Sequence, residues 1–116
     1  MIAQIRPAAF AQWANSLGGA TPLVLDVREP WEFTTAALRP LDGAPAFDVL
    51  SMPMQDIPAR MAELPTDRPI ACLCHHGMRS QNVARYLSQN GFEQLVNIAG
   101  GIAAWSAEAD PSVPQY

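Results

Sequence analysis

The sequence lacks a positive charge balance. Seven Lys and Arg side chains stand against eleven Asp and Glu, for a formal net charge of -4. An acidic chain argues against nucleic acid, which selects basic surfaces. No apolar run approaches the length of a membrane span. Arg6 and Pro7 interrupt the N-terminal apolar residues before a signal-peptide core forms, so a cytoplasmic location is the expectation. Cysteine is scarce, with two residues, Cys72 and Cys74. They lie one residue apart on an apolar stretch, where joining them would strain an extended backbone. Two reduced thiols in a cytosol suit chemistry better than a covalent framework. No internal repeat is visible, and no low-complexity segment beyond one Ala/Pro-rich loop.

What is present is an ordinary globular composition. With 116 residues, 49% of them hydrophobic, the chain reads as a single domain over 1–116. A chain of this length buries roughly two-thirds of its unfolded surface.

Five short apolar segments read as strands: Ala3 to Ile5, Pro22 to Val27, Phe47 to Met52, Pro69 to Cys74 and Leu95 to Ile98. Pro22 to Val27 and Pro69 to Cys74 are continuously apolar, as in strands buried on both faces of a parallel sheet. Helical patterns lie between them. Pro7 suits a first helical turn, and Phe10, Trp13, Ala14 and Leu17 keep helical spacing up to Gly18-Gly19. Pro30 to Phe33 begins a short helix, and Thr34 to Ala46 reads as irregular. Ile57, Met61 and Leu64 mark a helix ending at Pro65. Ser80 to Asn90 reads as a helix with Val83, Ala84 and Leu87 inward and Gly91 as its cap. Gly100-Gly101 leads into a final helical turn through Trp105, and Ala107 to Tyr116 reads as an extended tail. The alternation predicts an α/β fold in three layers, a five-stranded, mostly parallel sheet with helices on both faces. Ligands in such folds bind at the carboxyl ends of strands.

Cys74 stands at such an end, followed by His75-His76-Gly77-Met78-Arg79-Ser80. A strand, a tight loop and a helix N-terminus make an anion cradle, where backbone N–H groups converge and the helix dipole adds partial positive charge. A thiolate at its base is stabilised and reactive. Cys74 is therefore the candidate nucleophile, with an anionic substrate. Cys72, mid-strand among apolar residues, reads as a core thiol. Metal binding by Cys72, Cys74, His75 and His76 is disfavoured, because adjacent side chains diverge while tetrahedral sites use wider spacings. The two imidazoles read instead as the lining of the loop mouth, adding positive charge on protonation.

Three blocks resemble the rhodanese, or single-domain sulfurtransferase, family. They are Asp26-Val27-Arg28-Glu29-Pro30-Trp31-Glu32-Phe33, the loop Cys74 to Ser80, and Leu95 to Trp105 with its Gly100-Gly101-Ile102-Ala103-Ala104-Trp105 ending. One departure is Thr35 to Pro45, which replaces the family's Gly-His-Ile-x-Gly-Ala segment. The resemblance implies a rhodanese-like domain that takes sulfane sulfur from thiosulfate or a similar small anionic donor. The sulfur sits on Cys74 as a persulfide and passes to cyanide, a thiol or a sulfur-accepting protein, with no cofactor and no metal. His75, His76, Gly77, Met78, Arg79 and Ser80 would bind substrate, with Arg79 attracting the donor. Asp26 and Arg28 would support the loop, Arg28 pairing with Glu32 at i+4. Trp31 and Trp105 read as packing residues. A cysteine phosphatase is a rival, but its loop has five residues between Cys and Arg. Here four separate Cys74 from Arg79, which suits a sulfur atom better than a phosphoryl group. A sulfur-relay or interaction module is a third reading.

Overall fold

The two apolar runs become the centre of the sheet. In the computed structural model, which describes residues 2–116, the strands are β1 (Ala3–Ile5), β2 (Leu23–Asp26), β3 (Asp48–Ser51), β4 (Ile70–Leu73) and β5 (Leu95–Ile98). Their order is β1-β5-β4-β2-β3, and each of the four pairings is parallel. Every residue of β2 and β4 is buried, whereas the edge strands β1 and β3 keep exposed positions.

Period-two alternation sorts each central strand onto two faces. Leu23, Leu25, Ile70 and Cys72 pack with Ile57, Val83, Ala84 and Leu87 on one side. Val24, Ala71 and Leu73 pack with Phe10, Ala14, Ile102 and Trp105 on the other. The first face is covered by α3 (Ile57–Arg60) and α4 (Met78–Ser88), the second by α1 (Phe10–Asn15) and α5 (Gly101–Glu108). A short α2 (Pro30–Thr35) follows β2 at its carboxyl end. Phe10, Phe47 and Trp105 interlock edge to face, with ring centroids 5.0–6.0 Å apart.

Several boundaries differ from expectation. The helix read over Ile57 to Leu64 is α3 flanked by 3-10 turns at Met54–Asp56 and Met61–Glu63. Pro58 cannot donate to the helix ladder, which fits the broken winding. α4 begins two residues before Ser80, because Gly77 adopts a left-handed N-cap at φ 104° that lets the chain turn from strand to helix at once. α5 runs on to Glu108, two residues into the stretch expected to be an extended tail. The remainder of that tail folds back, with Asp110 and Val113 buried and Ser106 Oγ donating to the Val113 carbonyl at 2.7 Å.

The loops after β2, β4 and β5 meet at one end of the sheet, where Val27 N–H donates to the Leu73 carbonyl at 2.9 Å and Ala99 N–H to the Ile5 carbonyl at 2.8 Å. Among the described residues, no helix is long and apolar enough to cross a membrane.

Candidate active site

Cys74 sits directly after β4 with 1% of its surface exposed. Gly77 N–H donates to its Sγ at 3.0 Å, and the Ser80 hydroxyl lies 3.3 Å from the same sulfur. The loop is held from behind by α5. Ile102 N–H donates to the Cys74 carbonyl at 2.9 Å and Ala103 N–H to the His75 carbonyl at 3.1 Å. Gly101, at φ 61°, allows this approach, since a Cβ there would collide with the carbonyl oxygens of Cys74 and His75. The helix that carries Gly101-Ile102-Ala103 thus uses its otherwise unpartnered N–H groups to orient the loop. Gly77 and Ser80, on the first turn of α4, then face the sulfur.

Of the other loop residues, Met78 points outward with 76% exposure, His76 is exposed and His75 half-buried. The two imidazoles stack at 4.0 Å, and His75 stacks on its other side against Tyr116, also at 4.0 Å. Burial, and then the neighbouring His76, lower the pKa of His75 from its ordinary value. Protonation of His75 is therefore disfavoured relative to a free imidazole.

The second departure concerns the charges. Arg28 does not pair with the Glu32 carboxylate. Fully buried, it grips Asp26 with two bonds of 2.8 and 2.6 Å, and also donates to the carbonyls of Glu32 and Ala36 at 3.2 and 2.7 Å. Only backbone oxygen of Glu32 is reached, because the guanidinium fork is already occupied by the nearer carboxylate. Asp26 and Arg28 thereby brace the entry and exit of α2 beside the β4 loop.

Glu32 instead receives Arg79, with bonds of 2.7 and 3.1 Å, and the Tyr116 hydroxyl at 2.7 Å. Glu29 N–H adds a fourth donor at 3.0 Å. The hydrogen bonds from Arg79 lower the Glu32 carboxyl to about 2. The Tyr116 phenol is raised, first by burial. It stays protonated, donating to Glu32 while accepting from Arg28 at 2.8 Å. Arg79 is thus an ion-paired cation rather than a free one. Trp31, expected to be a packing residue, is 62% exposed and lies edge-on to Tyr116 at 6.0 Å.

Three contributors went unrecognised in the sequence. Tyr116 returns from the tail to cover His75. Asn97, in β5, accepts from Ser80 Oγ at 2.5 Å and donates to the Gly77 carbonyl at 3.1 Å. Gln4, in β1, accepts from Asn97 at 2.9 Å. The one available signal was Asn97 itself, a polar residue in the apolar strand Leu95-Val96-Asn97-Ile98.

Cys72 is fully buried, and burial pushes its thiol up to about 12. The two cysteines are free, with Cys74 facing the loop and Cys72 packed in the core.

Comparison with known proteins agrees with the fold. The rhodanese-like domain family matches residues 10–108. A sulfurtransferase of Allochromatium vinosum is 36% identical over 91 residues, which cover 78% of each chain. A thiosulfate sulfurtransferase of Pseudoalteromonas translucida is 32% identical over 99 residues, covering 85% of this chain and 87% of that one. Among solved structures, a rhodanese-related protein of Thermoplasma volcanium superposes with a TM-score of 0.76 at 28% identity, over 97% of both chains. By the match over residues 10–108, by its relatives and by its fold, the chain belongs to the family of rhodanese-like domains.

Proposed function

We propose that this protein is a sulfurtransferase that carries sulfane sulfur on Cys74 as a persulfide, with thiosulfate or a similar anion as donor. The observation that carries the reading is the Cys74 sulfur at a strand end, held by Gly77 N–H at 3.0 Å beneath the first turn of α4. The Cys74 thiolate attacks the outer sulfur of the donor. The donor's S–S bond breaks and its electron pair leaves on sulfite. The anionic persulfide sulfur then lies in the field of the α4 N-terminus, which favours negative charge. A thiolate or cyanide acceptor attacks that outer sulfur, and the Cys74 thiolate is released. The relatives named as sulfurtransferases support the reaction class, and one named for thiosulfate supports the donor.

His75, His76, Met78 and Tyr116 frame the mouth, while Gly77 and Ser80 contact the reacting sulfur. Arg79, paired to Glu32 and one-third exposed, recruits the donor. A phosphatase fits less well, because its arginine must face the phosphoryl group and Arg79 is turned to Glu32. The free cysteines suit a reducing compartment. Whether the acceptor is a small thiol or a protein, the same persulfide serves.

Mass spectrometry after incubation with thiosulfate tests the reading. One sulfur atom adds to the wild type and to Cys72→Ser, and none adds to Cys74→Ser. Uptake that survives Cys74→Ser but is lost in Cys72→Ser refutes the assignment.

A further inference from the structure

The hydrogen bonds behind Cys74 have a direction that the side chains themselves dictate. Asn97 is buried, and its Nδ2 faces the Gly77 carbonyl at 3.1 Å. A backbone carbonyl only accepts, so the end of Asn97 that faces it is the amide nitrogen. The same nitrogen donates to Gln4 Oε1 at 2.9 Å, and the Gln4 amide nitrogen is in turn held by Gln81 Oε1. The oxygen of Asn97 is therefore the atom that meets Ser80 Oγ at 2.5 Å. A carbonyl oxygen carries no hydrogen. Ser80 has one hydroxyl proton, and this contact takes it. What Ser80 turns toward Cys74 Sγ, 3.3 Å away, is a lone pair.

A lone pair suits two states of Cys74 and opposes a third. It accepts the S–H of the thiol. It tolerates the inner sulfur of a persulfide, whose charge has moved to the outer atom. It repels a bare thiolate, unless the hydroxyl rotates and leaves Asn97 Oδ1 buried without a partner. We propose that Asn97 is a positioning residue that commits the Ser80 hydroxyl proton away from Cys74. It thereby disfavours the bare thiolate against the thiol and the persulfide. A less stabilised thiolate is also the poorer leaving group when an acceptor attacks the outer sulfur, so the arrangement favours retention of the sulfur.

The inference rests on Cys74 being the nucleophile. The other titratable or charged groups toward Cys74 are Arg79 from α4 and Cys72 two residues back on β4. The adjacent His75 lies under Tyr116 from the tail. From α5 the facing group is the Ile102 backbone N–H. None of these is altered by the substitutions below.

The rate of Cys74 alkylation by iodoacetamide, measured from pH 5 to 10, reads the proton on Sγ without requiring sulfur transfer. Failure here is thus separate from failure of the transferase reading. Cys72 is buried and silent. Ser80→Ala moves the alkylation midpoint down. If Ser80 instead donated to the thiolate, its removal would move the midpoint up. Asn97→Leu, which keeps side-chain bulk but frees the Ser80 proton, moves the midpoint down by about one pH unit, roughly a tenfold gain in thiolate at a fixed pH below it. In a Ser80→Ala background the Asn97→Leu shift disappears, a result that a purely structural role would not produce. An upward or absent shift in Ser80→Ala overturns the proposal, as does an equal Asn97→Leu shift in both backgrounds. If Asn97→Leu fails to fold, the sign of the Ser80→Ala shift decides alone.

Discussion

Replacing Glu32 by glutamine keeps the shape of the hub beside the active loop and removes its charge. The carboxylate is buried and takes two hydrogen bonds from Arg79, one from Tyr116 and one from the Glu29 N–H. Its pKa is lowered from 4.5 to about 2. Between those values the unfolded chain binds a proton that the folded chain refuses, so stability rises with pH across this window. The contribution is complete above 4.5 and is lost as pH falls through about 2. At about 1.4 kcal/mol per pH unit the shift corresponds to roughly 3 kcal/mol. Arg79 is one-third exposed, so solvent screening reduces this to about 2 kcal/mol. Glu32→Gln then melts roughly 8 °C below wild type at pH 7, at about 4 °C per kcal/mol for a domain of this size. Urea unfolding at a series of pH values is the assay. The gap between wild type and Glu32→Gln narrows steadily below pH 4.5. A gap that stays constant down to pH 3, or no gap at pH 7, refutes the reasoning and reduces the Arg79–Glu32 pair to a surface contact.

Further outcomes follow from the same geometry. Gly101→Ala drives a Cβ into the Cys74 and His75 carbonyls at a positive φ, so it costs more than about 3 kcal/mol and abolishes sulfur uptake, as calorimetry and mass spectrometry will record. Arg79→Ala lowers kcat/KM for thiosulfate about tenfold and also destabilises by about 1–2 kcal/mol, because it orphans the Glu32 carboxylate. Adding Glu32→Gln restores part of that stability without restoring donor recruitment, and added salt shrinks the wild-type advantage in kcat/KM. Tyr116→Ala uncovers His75 and speeds labelling of Cys74 by a bulky maleimide, with little change for a small alkylating agent. Steady-state transfer from thiosulfate to cyanide gives parallel double-reciprocal lines, and intersecting lines would indicate a ternary complex instead.

The sequence by itself determined the fold class and the place of the loop that follows β4. Both are written in local patterns. Leu23 to Leu25 and Ile70 to Cys74 are short apolar runs bounded by Pro22 and Pro69, the mark of buried strands, and their period-two alternation then fills both faces of the sheet. Gly77 marks a backbone conformation that few other residues adopt, so the turn from β4 into α4 is legible in the chain, whereas the close approach of α5 at Gly101 is seen only in the fold. Helix ends were less so: α4 starts at Met78 because of a cap whose geometry, not side chain, sets it.

The charge pattern was decided by tertiary structure. Local spacing placed Arg28 against Glu32, but folding set the Asp26 carboxylate against the guanidinium first. Glu32 was left for Arg79, 47 residues away, and for Tyr116, 84 residues away. Asn97 reaches Ser80 across 17 residues because β5 lies beside β4. A buried polar group takes whichever partner the assembled fold brings within about 3 Å, and unpaired burial costs 1–3 kcal/mol. That selection acts on distances in space, which sequence spacing does not encode.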